Sequence, residues 1–419
     1  MKPCYLIVLL SLIGKGTTNK NDLQTDIYDK CPPIIADNGI NLSLSLAIRA
    51  FNNIDQIDGS INMNVWLRYE WYSDIKWIPN NYSNITSLNL NTNPDLDNFI
   101  WTPDIYLYNT AEKPMNELYY TEANVYNDGR IFWSRPGLIK STCIFNLTYF
   151  PYDQQTCKLK FGSWSYDSTE IYLADSNNII DTSNYQEHEE WNLIEYSSVR
   201  NSVKYECCEN EYHDIEFYYT IRRKPDYYNL NIIIPTFATA TLIILTLLVP
   251  WNSGERISFA VTVLLSIIVF LLIVSENLPK TDSKPLLSRM IIGLIYFSLV
   301  GVIFTIIISC IHNSIDNKTI KNNKLLLLFF SKCEYINCCL TNIKNNETDE
   351  NIENREYSDN DSIHSIKTNN SIYSFNDSIN LEKCKNLTIK IEKIFILLFL
   401  LSFIIYCLVI FLSVPKYVN

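Results

Sequence analysis

Histidine and glycine are scarce, with 4 His and 10 Gly in 419 residues. So few imidazoles leave little material for a metal enzyme, and so few glycines leave little for a loop that cradles a nucleotide. Charged residues make up 19% of the chain, and 34 Lys plus Arg face 45 Asp plus Glu. That acidic balance argues against a nucleic-acid binder. Disorder throughout is excluded as well, since 47% of the residues are hydrophobic and 13% aromatic. His188-Glu-Glu-Trp-Asn192 lacks the second histidine of a zinc protease, and no Gly-x-Ser-x-Gly occurs. Neither an enzyme nor a cofactor or metal site is expected.

Uncharged apolar sequence is abundant instead. Lys2, the apolar run Tyr5 to Ile13 and small residues at Gly14, Gly16 and Thr17 read as a cleaved secretory signal over 1–16. Four later stretches are almost free of charge: Leu230 to Val249, Ile257 to Val274, Met290 to Ile311 and Ile394 to Val414. Each has roughly the 17–25 residues that cross about 30 Å of hydrocarbon as a helix. From an outside start, four crossings put 312–390 in the cytoplasm and the tail 415–419 outside. Lys318, Lys321, Lys324 and Lys332 after the third span fit the positive-inside bias. The expected organisation is an extracellular domain over 17–223, three spans within 224–311, a cytoplasmic loop and a last span at 391–414.

Within the extracellular part the hydrophobic period is two. Asn41 to Ile48, Asn64 to Trp71, Lys158 to Phe161 and Asp214 to Ile221 each set apolar side chains on one face. Asp58-Gly59 and Asp128-Gly129 are turn signals between such runs, and the whole predicts an all-β sandwich. Glycosylation sequons begin at Asn41, Asn81, Asn84 and Asn146. After the third span the composition shifts to Asn, Ser, Asp, Glu and Lys, so 342–380 is expected to be disordered, with 381–393 helical and continuous with the fourth span.

Cys143 and Cys157 bracket thirteen residues that include Phe150-Pro-Tyr-Asp153. Closing a loop of that size contributes roughly 3 kcal/mol in the chain-entropy picture. Pro151, between two aromatic residues, is a candidate cis peptide. Cys207 and Cys208 are adjacent inside Tyr205-Glu-Cys-Cys-Glu-Asn-Glu-Tyr212. They can bond each other, pair elsewhere, with Cys31 for example, or stay free. Cys333, Cys338 and Cys339 lack clean zinc spacing and read as reduced thiols.

The Cys-x13-Cys loop followed by four spans resembles the Cys-loop receptors, the pentameric ligand-gated ion channels. The adjacent cysteine pair is similar to that of nicotinic acetylcholine receptor subunits of the α type. This resemblance implies bonds Cys143–Cys157 and Cys207–Cys208 and a multi-pass plasma-membrane protein, with a postsynaptic location as one option. It also implies a homo- or heteropentamer of related subunits that conducts monovalent cations, with calcium as an option. The ligand implied is acetylcholine or a related cationic amine. A quaternary ammonium donates no hydrogen bond, so its site needs aromatic faces, each worth about 0.5–2 kcal/mol. The motifs assign Tyr108 from Trp101-Thr-Pro-Asp-Ile-Tyr-Leu-Tyr108, Trp164 from Gly162-Ser-Trp164, and Tyr205 and Tyr212 around Cys207 and Cys208. Trp66, in Asn64-Val-Trp66-Leu-Arg68, is assigned to the complementary face lent by a neighbouring subunit, and Phe132 and Ser134 are further candidates there.

In the second span Ser258, Thr262, Leu265, Val269, Leu272 and Glu276 are spaced four, three, four, three, four and form one helical stripe. Five such stripes would line a pore closed by a Leu265 and Val269 constriction. Glu255 and Glu276, about 32 Å apart along a helix, would make two carboxylate rings that favour cations. Ser253-Gly254-Glu255 stands where anion-passing relatives carry a Pro-Ala pair, and Arg256 points away from the conduction path in the family. For coupling, the resemblance assigns a Lys160 to Asp214 pair answered by Tyr205, the pre-span Arg223, and Pro285. The usual acidic partner of Arg223 is Gln56 here, with Asp55 or Asp58 as substitutes. The alternatives are an accessory or nonconducting binding subunit, or a channel gated by another cationic amine.

Overall fold

The structure is a computed structural model describing residues 20–28, 39–96, 98–112, 118–174, 180–250, 254–276, 278–280, 284–316 and 363–415. The leader read at 1–16, Cys31, and the cysteines at 333, 338 and 339 lie outside the described residues. Two compact units are present: Met1–Pro225 with Asn277–Lys284, and Asp226–Glu276 with Pro285–Asn419.

The first unit is the expected sandwich. A helix α1 (Lys20–Tyr28) precedes β1 (Ile40–Asp55), β2 (Ser60–Tyr72), β3 (Ser87–Leu90), β4 (Ile105–Leu107), β5 (Ala123–Tyr126) and β6 (Arg130–Thr142). Then come β7 (Gln154–Ser163), β8 (Ile171–Leu173), β9 (Ile180–Asp181), β10 (Trp191–Lys204) and β11 (Glu211–Arg223). One sheet runs β3-β5-β6-β2-β1-β8 with β9 also on β1, and the other runs β10-β11-β7-β4. Strict alternation buries Leu42, Leu44 and Leu46 while Asn41, Ser43 and Ser45 face outward. A one-residue slip would reverse that set, which is why Leu46 is fixed opposite Leu67 and Leu44 opposite Tyr69. Burying each such Leu contributes about 1.5–3 kcal/mol. Trp71, Trp133, Trp191, Phe161 and Phe217 fill the space between the sheets. Gly59 and Gly129 turn at φ 66° and 92°, the left-handed region their turns require. Helix α1 has no counterpart in the sequence reading, yet its Leu23 is fully buried in this core.

Among its described residues the second unit holds four helices long and apolar enough to span a membrane: Asp226–Leu248, Arg256–Glu276, Leu286–Asn313 and Lys385–Leu412. We label the helices that carry them α2 (Asp226–Leu248), α3 (Arg256–Glu276), α4 (Leu286–Asp316) and α5 (Ile363–Leu412). In α2 the turn widens to a π-helix over Asn229–Ile233, just before Pro235. Proline has no N–H to offer the preceding turn and its ring crowds that turn's carbonyl, which accounts for the widening. Helix α5 corrects the expected disorder, because it begins at Ile363, inside the stretch 342–380. Extending an existing helix adds a hydrogen bond for each residue fixed, whereas nucleation is the costly step, so the span propagates helix backwards into polar sequence. Arg256 is buried and pairs with Glu392 at 2.6 Å, while its Nη2 donates to the Leu247 carbonyl at 2.9 Å.

Candidate functional site

Four of the expected rings sit on the four-stranded sheet and the loops at its end. Tyr108 follows β4, Trp164 follows β7, Tyr205 follows β10, and Tyr212 is the second residue of β11. The Tyr108 and Trp164 ring centroids are 6.2 Å apart at 81°, and those of Tyr205 and Tyr212 are 5.8 Å apart at 69°. Burial raises the Tyr108 phenol pKa most, and the phenols of Tyr205 and Tyr212 and the carboxylates of Asp214 and Asp104 push the same way. Tyr108 stays protonated at neutral pH and donates to the Ser163 carbonyl at 2.5 Å, leaving its ring against Trp164. Gly162 permits this approach, since a Cβ there would lie 2.5 Å from the Tyr108 hydroxyl and 2.7 Å from Cζ.

Trp164 is 72% exposed, so its position is fixed by the loop beneath it. Asp104 accepts from Ser163 Oγ at 2.5 Å and from the Ser165 N–H at 2.8 Å. Asp104 and Tyr106, whose ring lies 6.5 Å from Trp164, were not singled out in sequence, although both belong to the motif that gave Tyr108. Cys207 and Cys208 are bonded to each other across 3.8 Å between Cα atoms, and Cys143 is bonded to Cys157. Asn210, just past the cysteine pair, donates to Asp167 Oδ2 at 2.8 Å and ties the loop to the one that carries Trp164. The Phe150–Pro151 bond is cis, as the sequence suggested.

Trp66 lies elsewhere, on the outward face of β2, opposite Pro136 of β6. Ser134 and Phe132 stand opposite Arg68 and Glu70 on that same face. The indole is already covered, with the Arg49 guanidinium 4.2 Å from the ring centroid and that of Arg68 6.0 Å away.

Lys160 Nζ is 3.0 Å from Asp214 Oδ2, with Asp214 2% exposed, so this is no ordinary surface pair. Asn201 donates to the other Asp214 oxygen at 2.9 Å, and Tyr205 packs on Tyr212. For Arg223 the expected substitutes are corrected. Asp55 caps its own turn, accepting the N–H groups of Ile57 and Asp58, while Arg223 bonds Asp153 at 2.8 Å and Glu190. Gln56 itself serves as an acceptor, 2.5 Å from Arg223 Nη2. Both acids lie far along the chain, which is why no local motif revealed them.

In α3, Ser258, Thr262, Leu265, Val269, Leu272 and Glu276 are all exposed, while Arg256, Ala260, Val263, Ile267 and Val274 on the other side are buried. The Thr262 hydroxyl donates to the Phe259 carbonyl at 2.8 Å and that of Ser266 to the Thr262 carbonyl at 3.0 Å, which satisfies them within the helix. Glu255 stands at the start, where its carbonyl accepts the Phe259 N–H at 2.9 Å, and it is exposed. Pro285 stands directly before α4 and its carbonyl accepts the Arg289 N–H at 3.0 Å.

Residues 18–225 match the model of the neurotransmitter-gated ion-channel ligand binding domain, and residues 232–388 that of the neurotransmitter-gated ion-channel transmembrane region. Among curated proteins, neuronal acetylcholine receptor subunit alpha-2 of Gallus gallus is 37% identical over 275 residues, 65% of this chain and 51% of that protein. Alpha-4 of the same organism is 37% identical over 270 residues, 64% of this chain and 43% of its own length. Human alpha-2 is 36% identical over 271 residues, 64% and 50% respectively. The chain thus spans about half the length of the curated relatives it matches. With four apolar helices it is a multi-pass plasma-membrane protein. A β-sandwich with the disulfide-closed loop, a vicinal cysteine pair and that helical unit, matched over 18–225 and 232–388, makes the chain a member of the neurotransmitter-gated ion-channel family.

Proposed function

We propose that the chain is a subunit of an acetylcholine-gated, cation-selective channel. The observation that carries this reading is two ring pairs on the loops of one sheet, Tyr108 with Trp164 and, flanking the Cys207–Cys208 pair in the chain, Tyr205 with Tyr212, with Trp164 open to solvent. Rings in that arrangement replace part of the hydration of a quaternary ammonium. The similarity to neuronal acetylcholine receptor subunits supports the same ligand. Agonist then acts by binding the open state more tightly than the closed one.

Glu255 and Glu276 bound the exposed stripe of α3 and are its only charged members, so repeated around a pentamer they supply the field that selects cations. In cells expressing the channel, acetylcholine-evoked current is expected to reverse with the cation gradient when external NaCl is diluted. Glu255→Gln and Glu276→Gln are each expected to lower unitary cation conductance by about half or more, through loss of focused charge. A reversal potential that follows chloride sinks the cation reading.

A second variant probes the binding end. Gly162→Ala forces a methyl into the Tyr108 ring, and overpacking of about 1–3 kcal/mol, where it falls on the binding geometry, corresponds to a rise of roughly 5- to 100-fold in the half-maximal acetylcholine concentration. Gly162→Ala with an unchanged dose response would mean that Tyr108 does not line the site.

A further inference from the structure

Arg49 is one of two residues that slip out of register in β1: Ile48 pairs with Val65 and Ala50 with Asn64, leaving Arg49 as a bulge. A bulge re-aims a side chain that strict pairing would have placed elsewhere. Here the guanidinium comes to rest 4.2 Å over the Trp66 ring. Arg68 flanks the same ring, but Asp181 neutralises it at 3.0 Å. The Asp181 carboxyl is held down to about 2, chiefly by the Ser183 side chain and then its N–H, with Arg68 adding to it, so that neutralisation persists at every physiological pH. Among the described residues no carboxylate pairs with Arg49. Among the described residues its charge is answered by the indole face.

An aromatic face occupied by a fixed cation is unavailable to a mobile one, and the fixed charge repels it besides. Among the described residues no cation covers Trp164, which meets Tyr106 and Tyr108 edge-on and is largely exposed. We infer that a seam between two copies of this chain is closed to a cationic agonist by Arg49. The working site therefore forms where its principal face meets a different, related subunit with an uncovered aromatic ring and neutral side chains at the positions of Arg49 and Arg68. The inference rests on the proposed cationic ligand and names the partner class that ligand requires.

The test uses five full-length copies linked in tandem, which fixes every seam as one between identical chains, with labelled acetylcholine as the probe on surface-expressed protein. The wild-type assembly is expected to show no saturable binding. Arg49→Gln should raise affinity at least tenfold, whereas Arg49→Lys, which keeps the cation, should behave as wild type. Wild-type binding equal to that of Arg49→Gln, whether both bind or both are silent, overturns the role given to Arg49. In assemblies with a related subunit of the stated kind, Arg49→Gln is expected to leave binding within twofold and Trp164→Ala to weaken it more than tenfold. An equal loss from Arg49→Gln there places this chain's complementary face in use and also overturns the inference. No effect of Trp164→Ala defeats instead the reading of the principal face.

Discussion

Trp164→Ala is expected to raise the acetylcholine concentration for half-maximal current about 30-fold, with the reversal potential unchanged. The magnitude follows from a cation–π contact of about 2 kcal/mol in a desolvated site, at 1.4 kcal/mol for each factor of ten. Trp164 is the ring to test because its surroundings leave it nothing else to do. Its side chain is 72% exposed in the single chain, while Asp104 fixes the loop below through Ser163 and Ser165. Removing the indole therefore removes ligand contact without opening the core. Trp164→Tyr keeps a π face and should recover most of the affinity. Competition binding on the same variants separates occupancy from opening, and the loss should appear there too. A changed reversal potential alongside an intact dose response contradicts the assignment, since the pore stripe of α3 lies in a different unit of the chain from Trp164.

What could be read in the sequence was whatever depends on near neighbours. Alternation in Asn41 to Ile48 marked the faces of β1, and the charge-free runs located the first three spans and the end of the fourth to within a few residues, the fourth helix starting well before Ile394. Tyr108, Trp164, Tyr205 and Tyr212 were assigned by the resemblance of their short motifs to the family's binding loops, not by any local physical signal. Contacts that depend on strand register were hidden. Arg49 reaches Trp66 only through a bulge in β1 and the antiparallel pairing of β1 with β2. Asp153 and Glu190 meet Arg223 only after β11 has paired with both β7 and β10. The helix through 363–380 was hidden for another reason: its polar composition matches disorder, and only its continuity with the fourth span makes it helical.

Arg223→Ala is expected to destabilise the protein by about 3–5 kcal/mol, the cost of leaving a buried charge without its partner. Arg223 and Asp153 are each 1% exposed. The guanidinium donates to both Asp153 oxygens, at 2.8 and 3.3 Å, to Glu190, and to Gln56 at 2.5 Å, while the Trp191 and Phe150 rings lie 4.1 and 4.8 Å from it. Two carboxylates already face one guanidinium, so a neutral acceptor at Gln56 is what local charge balance favours. Gln56→Glu is accordingly expected to bring no gain in stability. Full-length Arg223→Ala should lose most of its cell-surface expression, and the solubilised remainder should melt well below wild type. The buried carboxylate, rather than lost packing, is isolated by the double variant Arg223→Met with Asp153→Leu. Replacing both members of a buried pair by apolar side chains is often neutral, so much of the stability should return, although Glu190 keeps its charge at a more exposed position. Wild-type melting of Arg223→Ala would show that the Gln155 amide, which already donates to Asp153 Oδ2 at 2.6 Å, is enough to hold the buried carboxylate without the guanidinium.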